Sequence, residues 1–397
     1  MRAPWCVPLL AVLLSGSLAG PLPALRAQAG PAPDVAERVA AELTGRGFAN
    51  VAAVVDGSRV VATLENTRHR DERVALREAA ALLLPELDPG QELVLVPTHR
   101  AVPLVAARYA PPDSTPAEVS LDVSGLPPAL RDAPRSSRSF GRIDVVVHPW
   151  FEAVFGAYLN PVASRTGVAP ELRVALRPGL ALAAQALVTL QDDIPTGETR
   201  VRPGLVTLSQ LLRLPRGVFI SATAGAFNPD RYGVDVEARA YTPDGRWSAG
   251  AQAGLTGAAS YAREGWGFAP LRERTALVDV AWRSARYDLV LRTTAGMFLE
   301  EDRGVRLDVV RQFGELEVGW FLVESREGAN GGFTLRIPLL PARHPAPAPV
   351  RLRPADAFRW QYRYKGLVPG GWRYTTGSSL DELTRRLNPD HVAHGYP

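Results

Sequence analysis

The sequence predicts a mainly β protein, namely a transmembrane antiparallel β-barrel of about 12–14 strands preceded by a small α/β domain with the order α-β-β-α-β-β. Two observations support this fold class. Apolar and polar residues alternate with a period of two over more than half of the chain, which is the spacing of β-strands. After residue 20 no run of 18 apolar residues occurs, which excludes membrane-spanning helices but not membrane-spanning strands.

Residues 1–29 have the pattern of a secretory signal peptide. A short positive segment at Met1-Arg2 is followed by an apolar stretch, and Ala27-Gln28-Ala29 supplies the small residues that a signal peptidase accepts. Cleavage after Ala29 leaves a mature chain without cysteine, because Cys6 is the only cysteine. Without a disulfide, the stability of the exported chain must come from a packed core or a closed sheet.

Residues 30–110 are predicted to form the α/β domain. Asp34 can cap a first helix, in which Val35, Val39 and Leu43 recur at helical spacing. The turn signal Asp56-Gly57 joins the first two strands. The predicted elements are strands 49–55 and 59–65, a helix over about 70–84 with Val74, Leu76, Ala79 and Leu83 facing the core, and strands 93–97 and 102–109. Residues 111–141, rich in Pro, Ser and Ala, are predicted to be a linker.

Residues 142–364 carry the alternating pattern. In residues 232–241, for example, Val234 and Val236 lie on one face and Asp235 on the other. Further strands are predicted within 247–255, 275–283, 287–292, 305–309, 315–322, 333–339 and 358–364. Short turns alternate with longer loops, and aromatic residues such as Trp247 and Trp282 lie near strand ends, as in membrane barrels. A soluble β-sandwich alternates as well, with its apolar face buried, and remains the second interpretation.

Residues 365–397 are predicted to be a C-terminal tail. It contains a short helix near 379–387, in which Ser379 and Glu382 have the spacing of a capping box. His391 and His394 lie beyond this helix and are expected to be exposed to solvent.

The sequence contains no recognisable catalytic, metal-binding or cofactor motif. Zinc-protease, nucleophile-elbow, P-loop and dinucleotide-binding patterns are all missing, so neither catalytic residues nor a cofactor are predicted. No block of basic residues occurs, so a nucleic acid is not an expected partner. The acidic clusters at 191–193 and 300–302 suit a glycosidase or a calcium site, but their position in apparent turns favours solvated loops.

The polar faces of the predicted strands are the main candidate site. If the apolar faces meet lipid, the charged residues project into the lumen of the barrel. Two roles are open: a carboxylate–arginine network that braces the barrel, or a hydrated path for an anionic or neutral glycan. The candidate lumen residues are Asp235, Glu237, Arg239, Asp279, Arg283, Asp288, Arg292, Arg306, Asp308, Glu315 and Glu317.

Several short motifs, in their order along the chain, resemble the YjbH/GfcD family of outer-membrane β-barrel proteins. They are Gly47-Phe48-Ala49-Asn50-Val51, residues 65–70 (ENTRHR), residues 227–233 (FNPDRYG), Arg311-Gln312-Phe313-Gly314, Gly331-Gly332-Phe333, Ile337-Pro338-Leu339 and residues 358–364 (FRWQYRY). The resemblance implies a Gram-negative outer-membrane location, a periplasmic N-terminal domain and a part in the secretion of exopolysaccharide or capsule. Larger members of the family repeat the α/β-plus-barrel arrangement, whereas this chain has room for it once.

The expected function is therefore that of a non-enzymatic outer-membrane β-barrel protein that takes part in exopolysaccharide secretion or assembly. Its expected partners are outer-membrane lipid, the exopolysaccharide and periplasmic polysaccharide-export proteins. The loop containing Glu65, Asn66, Arg68, His69 and Arg70 is a candidate contact for such a protein, although a solvated turn explains the same residues. An outer-membrane enzyme that modifies the glycan and a soluble secreted carbohydrate-binding sandwich are the alternatives.

Overall fold

A computed structural model describes residues 34–155, 162–194, 198–364 and 370–393. The predicted signal peptide, Cys6, Lys365 and His394 lie outside these ranges. The described chain contains a small and a large β-sheet with five short α-helices, so the prediction of a mainly β protein is confirmed. None of the described helices combines the length and apolarity needed to cross a bilayer.

The N-terminal elements follow the predicted order closely. They are α1 (Val35–Gly45), β1 (Ala49–Asp56), β2 (Arg59–Glu65), α2 (Glu72–Leu83), β3 (Glu92–His99), β4 (Val102–Pro103), β5 (Ala106–Tyr109), β6 (Glu118–Ser120) and α3 (Ala129–Asp132). Gly57 adopts φ +60° in the turn between β1 and β2, a conformation that favours glycine. At the start of α2 the Asp71 carboxylate accepts a hydrogen bond from the backbone N–H of Arg73.

The small sheet has the order β1-β2-β3-β5-β6, and β4 pairs with β3. Val39 and Leu43 of α1 and Leu76 of α2 belong to the apolar core on one face, whereas Leu130 of α3 packs against the other face. Residues 111–141, predicted as a linker, thus contribute both β6 and the helix α3. The prediction for Val74 is wrong: it is exposed, because the buried stripe of α2 runs through Leu76, Ala80 and Leu83.

The C-terminal elements form the large sheet. Its strands are β7 (Ile143–Phe155), β8 (Val162–Arg177), β9 (Leu180–Asp192), β10 (Val201–Leu214), β11 (Val218–Phe227), β12 (Arg231–Tyr241), β13 (Trp247–Ala262), β14 (Gly265–Phe268), β15 (Glu273–Ser284), β16 (Leu289–Met297), β17 (Arg303–Phe313), β18 (Leu316–Ser325), β19 (Gly328–Pro338), β20 (Val350–Pro354) and β21 (Ala357–Arg363). These 15 strands slightly exceed the 12–14 predicted.

The strand order of the large sheet is β20-β7-β8-β9-β10-β11-β12-β13-β15-β16-β17-β18-β19-β21, with β14 beside β13. All pairs are antiparallel except β20 with β7. The two terminal strands, β20 and β21, follow one another in the chain and are separated only by Ala355 and Asp356. Rings of β7 also contact β21: the Phe151 and Trp360 centroids lie 5.7 Å apart. The two ends of the strand order are therefore neighbours.

In the large sheet many polar side chains are buried and many apolar side chains are exposed, which is the reverse of an ordinary soluble sheet. In β12 the exposed fraction is 49% for Val234 and 47% for Val236, but only 4% for Asp235 between them. Val278 and Val280 in β15 are exposed in the same way. The alternation predicted from the sequence is thus present, with the polar face turned inward and the apolar face turned outward.

The C-terminal segment, residues 370–393, lies against the polar face of the large sheet. It contains α4 (Leu380–Arg386) and α5 (Pro389–Ala393). Ser379 is the N-cap residue of α4, but its side chain makes no capping hydrogen bond, so the predicted capping box does not form. The prediction of an exposed His391 is wrong, because α5 is packed and this imidazole is buried.

Candidate functional site

Charged residues of the polar face form a connected network with the C-terminal segment. Arg239 Nη2 lies 2.7 Å from Asp279 Oδ2, and Arg292 Nε lies 3.5 Å from Asp279 Oδ1. Arg292 also binds the carboxylate of Asp381 in α4, which in turn binds Arg385. Burial alone would raise the pKa of Asp381, but the guanidinium groups of Arg292, Arg385 and Arg239 hold it well below its usual range. Three strands (β12, β15 and β16) and the helix α4 are thus linked through opposite charges.

Further hydrogen bonds attach the C-terminal segment to the sheet. The hydroxyl of Tyr374 donates to Asp235 Oδ2 at 2.5 Å, and the backbone N–H of Leu380 donates to Glu237 Oε2 at 2.9 Å. Arg385 Nη1 lies 2.5 Å from Glu317 Oε2. The contact of this segment with the polar face was not foreseen, although the charged residues of α4 are a sequence signal for ionic contacts.

The remaining candidate lumen residues have other partners. Arg306 Nη2 lies 2.7 Å from Asp308 Oδ1, and both residues are on β17. Arg283 Nη1 donates to Gln312 Oε1 at 2.5 Å, and Arg283 Nη2 lies 3.2 Å from Asp288 Oδ1. Asp288 lies in the β15–β16 turn rather than on a strand. Glu315 likewise lies in the β17–β18 turn, where it contacts the α/β unit.

The loop over residues 65–70 contacts the large sheet of the same chain. Arg70 Nη2 lies 2.5 Å from Glu315 Oε2, and its guanidinium also donates to the carbonyl of Leu339. The Arg68 carbonyl accepts a hydrogen bond from the backbone N–H of His344 at 2.7 Å. Asn66 closes the loop by accepting from the N–H of His69 at 2.9 Å. A contact of this loop with another protein stays a prediction.

A cavity of about 340 Å³ lies where the α/β unit, the polar face and the C-terminal segment meet. Residues 65–72 and the β3–β4 turn line it from the α/β unit, β7–β11 from the sheet, and residues 376–387 from the C-terminal segment. Four histidines also line it: His69, His99, His148 and His344. They are far apart in sequence, which is why no motif search combines them.

Some of these histidines contact a carboxylate, and the pKa of another is shifted by burial. His148 Nε2 lies 2.7 Å from Glu171 Oε2, and His344 Nε2 lies 3.1 Å from Asp356 Oδ1. Burial, reinforced by the cation of Arg100, holds the pKa of His99 well below its usual range. Within the described ranges, no group of three or more His, Cys, Asp and Glu side chains is arranged to hold a metal ion.

Carboxylates also gather at the opposite rim, around two arginines stacked near Trp150. The Arg165 and Arg202 guanidinium carbons lie 5.9 and 5.6 Å from the Trp150 ring centroid. Arg165 Nη1 is 2.5 Å from Glu198 Oε2, and Arg202 forms an ion pair with Asp230. These carboxylates are paired with cations, an arrangement that suits an ion-pair network better than a general acid.

A comparison with protein families gives one match. The family model described as "Exopolysaccharide biosynthesis protein YbjH" (YjbH) matches residues 12–334, in agreement with the predicted resemblance. No curated protein and no solved structure matches the chain significantly. Because the family match extends over well more than half of the sequence, the chain belongs to the YjbH family of exopolysaccharide biosynthesis proteins.

Proposed function

We propose that the chain is an outer-membrane β-barrel protein that takes part in the secretion or assembly of exopolysaccharide. Family membership supports the link to exopolysaccharide biosynthesis. The observation that carries the membrane assignment is the reversed burial of the large sheet, with charged side chains inside and apolar ones outside.

Exposed apolar side chains recur on neighbouring strands. Val234, Val280, Leu307 and Leu322 project outward from β12, β15, β17 and β18, and Leu322 is 67% exposed. Soluble proteins rarely expose contiguous apolar patches larger than a few hundred Å². An apolar face that recurs over many strands is suited to an apolar solvent, which lipid supplies. In a soluble carbohydrate-binding sandwich the same face would be buried, so the burial favours the membrane protein.

The proposal includes closure of the sheet into a barrel. β20 pairs with β7, the first strand of the sheet in chain order, and β21 pairs with β19 at the other end. Because β20 and β21 follow one another in the chain, residues 350–363 connect the two ends of the sheet. Closure leaves no unpaired edge in the hydrocarbon region, where an unsatisfied backbone group costs several kcal/mol. Trp247 and Trp282 pair in register beside a short turn, as expected for an interfacial girdle.

We place the α/β unit on the periplasmic side. It contacts the short turns of the sheet: the Gly179 N–H donates to the Arg100 carbonyl at 2.8 Å, and Arg70 binds Glu315 in the β17–β18 turn. In outer-membrane barrels the short turns face the periplasm and the longer loops face outward. The α/β unit is thus available to periplasmic export proteins.

Catalysis is not part of the proposal. A glycosidase would need a carboxylic acid and a carboxylate with separate roles, whereas Glu198 and Asp230 at the outer rim are both bound by arginines. Incubation of purified protein with isolated polymer tests this point. Shortened or modified polymer would favour the enzyme over the export protein.

Two experiments test the proposed function. Cell fractionation with heat-modifiable gel mobility tests the location, and a mature protein that is soluble without detergent would exclude the barrel. Deletion of the gene followed by an assay of surface polysaccharide tests the role, and an unchanged amount and length of polymer would exclude it. Complementation of the deletion strain with the Arg239→Ala and Arg292→Ala variants then tests whether these arginines act in polymer export or only stabilise the barrel. Normal export through a folded variant barrel would leave them only the stabilising role.

A further inference from the structure

The 340 Å³ cavity has the size of a small-molecule site. Pockets for small molecules measure about 300–1,000 Å³, so this one suits one or two sugar residues rather than a long polymer segment. Its walls carry serine and threonine hydroxyls, among them Ser209, Thr376 and Ser378, which can exchange hydrogen bonds with sugar hydroxyls.

Not all of the charged residues that line the cavity form ion pairs with one another. Seven arginines and six carboxylates line it. Five of the arginines bind four of the carboxylates: Arg173 binds Glu171, Arg351 binds Asp144, Arg353 binds Asp144 and Asp356, Arg386 binds Asp356, and Arg359 binds Glu382. Arg100, Arg142, Glu65 and Glu72 remain outside these pairs.

Within the described ranges no carboxylate lies at ion-pair distance from Arg100 or Arg142, although the charges of Glu65 and Glu171 act on Arg100 from farther away. Arg100 Nη1 donates to the hydroxyl of Ser209 at 2.8 Å, and burial, with Arg173 close by, lowers the pKa of Arg100 to about 10. Arg142 Nη2 reaches the hydroxyl of Ser137 at 3.4 Å, whereas its Nη1 is buried without a hydrogen-bond partner. His344, itself buried, also has an Nδ1 atom without a partner. The guanidinium groups of Arg100 and Arg142 can therefore donate to an acceptor that the chain does not supply.

Burial weakens the counter-charge of the two remaining carboxyl groups, Glu65 and Glu72. Burial raises the pKa of Glu65, although Asn50 and the N–H of Ala101 donate hydrogen bonds to it. Burial raises the pKa of Glu72 to about 7 against the opposing effect of Arg386. Seven guanidinium groups face six carboxyl groups, and Glu72 is only partly ionised near neutral pH, so the cavity carries an excess of positive charge.

The cavity lining contains imidazoles but no phenylalanine, tyrosine or tryptophan among the described residues. A sugar face therefore has no aromatic ring on which to stack, and recognition must come from charge and hydrogen bonds. These features favour an anionic ligand over a neutral one.

We propose that this cavity binds a sugar residue that bears a carboxylate, with Arg100 and Arg142 receiving the carboxylate and the serine and threonine hydroxyls receiving the ring hydroxyls. The inference rests on the proposed function, since it names the class of saccharide that an exopolysaccharide protein would contact. It assigns the α/β unit and the C-terminal segment a shared role in recognition, in addition to their packing against the sheet.

The test uses the purified mature protein in detergent and measures the binding of glucuronate, glucose and acetate by calorimetry or ligand-observed NMR. We expect glucuronate to bind at least tenfold more tightly than either glucose or acetate. The variant carrying Arg100→Gln and Arg142→Gln is expected to bind glucuronate at least tenfold more weakly, and Arg100→Lys to retain most of the affinity. Arg59→Gln, an exposed arginine at the far end of β2, is the matched control.

Three outcomes would overturn the inference: equal binding of glucuronate and glucose, equal binding of acetate and glucuronate, or unchanged glucuronate binding in the double variant. Heat-modifiable mobility of each variant verifies that it is folded, and Arg142→Gln alone replaces the double variant if the latter fails to fold. Fractionation and the polysaccharide assay are independent of this measurement, so failure of the ligand assignment is distinguishable from failure of the proposed function.

Discussion

Asp381 is expected to hold the C-terminal segment on the polar face of the sheet, and Asp381→Asn tests this. The carboxylate is shared by Arg292 of β16 and Arg385 of α4, and its side chain is only 13% exposed. Removal of one partner from a buried ion pair costs about 3–5 kcal/mol, because it leaves a cation uncompensated. The partial exposure of these side chains, and the second carboxylates beside Arg292 (Asp279) and Arg385 (Glu317), place the expected cost at the lower end, about 3 kcal/mol.

Hydrogen–deuterium exchange of α4 measures this cost. A loss of about 3 kcal/mol corresponds to roughly a hundredfold faster exchange through local opening. The strands β15 and β16 are expected to exchange as in the wild type, because their ladder hydrogen bonds are intact. Asp56→Asn serves as the matched control, since Asp56 and Arg59 form an exposed surface pair that contributes little. Unchanged exchange of α4 in Asp381→Asn would refute the reasoning, because contacts other than these ion pairs would then hold the segment.

Three further predictions concern the lipid face, the cavity and the α/β unit. Val278→Arg places a charge on the exposed apolar face and is expected to cost about 2–4 kcal/mol in the bilayer. The yield of heat-modifiable protein should therefore fall for Val278→Arg but not for the control Val278→Thr. A normal yield of the arginine variant would contradict a lipid-facing Val278. Because the pKa of Glu72 rises from 4.5 to about 7 on folding, its contribution to stability is present below pH 4.5 and is lost as the pH rises through 7, by about 3 kcal/mol in total. The guanidinium chloride concentration at the unfolding midpoint, measured from pH 4 to 8, should therefore fall less steeply with pH in Glu72→Gln than in the wild type. Identical pH profiles of the two proteins would exclude this titration. Arg70→Gln removes the ion pair with Glu315, at a cost of about 1–3 kcal/mol. Hydrogen–deuterium exchange is expected to become faster in residues 66–70 but not in β18. An equal increase of the exchange rate in the two regions would argue against a local effect.

Most elements of the fold could be predicted from local sequence. The boundaries of β2 agree with the prediction because the Asp56-Gly57 turn and the apolar run after it are both local signals. The strands β12 and β17 were likewise recognisable from their alternation. Predictions failed where a distant contact decides the outcome: Val74 is exposed because α2 turns another stripe toward the core, and His391 is buried because α5 packs rather than extends into solvent.

The candidate site was predictable only as a set of polar-face residues. Asp235, Arg239 and Asp279 do share the inward face, as their period-two spacing requires. Their partners in the C-terminal segment could not be foreseen, since Arg292 and Asp381 are 89 residues apart in the chain. The same applies to the cavity, whose cations Arg100 and Arg142 come from a turn of the α/β unit and from the entry to β7.

The sequence by itself determined that this protein has a long series of strands with one apolar and one polar face, and its short motifs indicated the family. Alternation does not specify which face is covered, so a soluble sandwich remained the second interpretation beside the membrane barrel. Only the tertiary structure shows which face is covered, because it turns Asp235 inward and Val234 outward and places the C-terminal segment against the charged face. The physical reason is that the environment of a face is set by contacts between residues far apart in the chain, which a local period cannot encode.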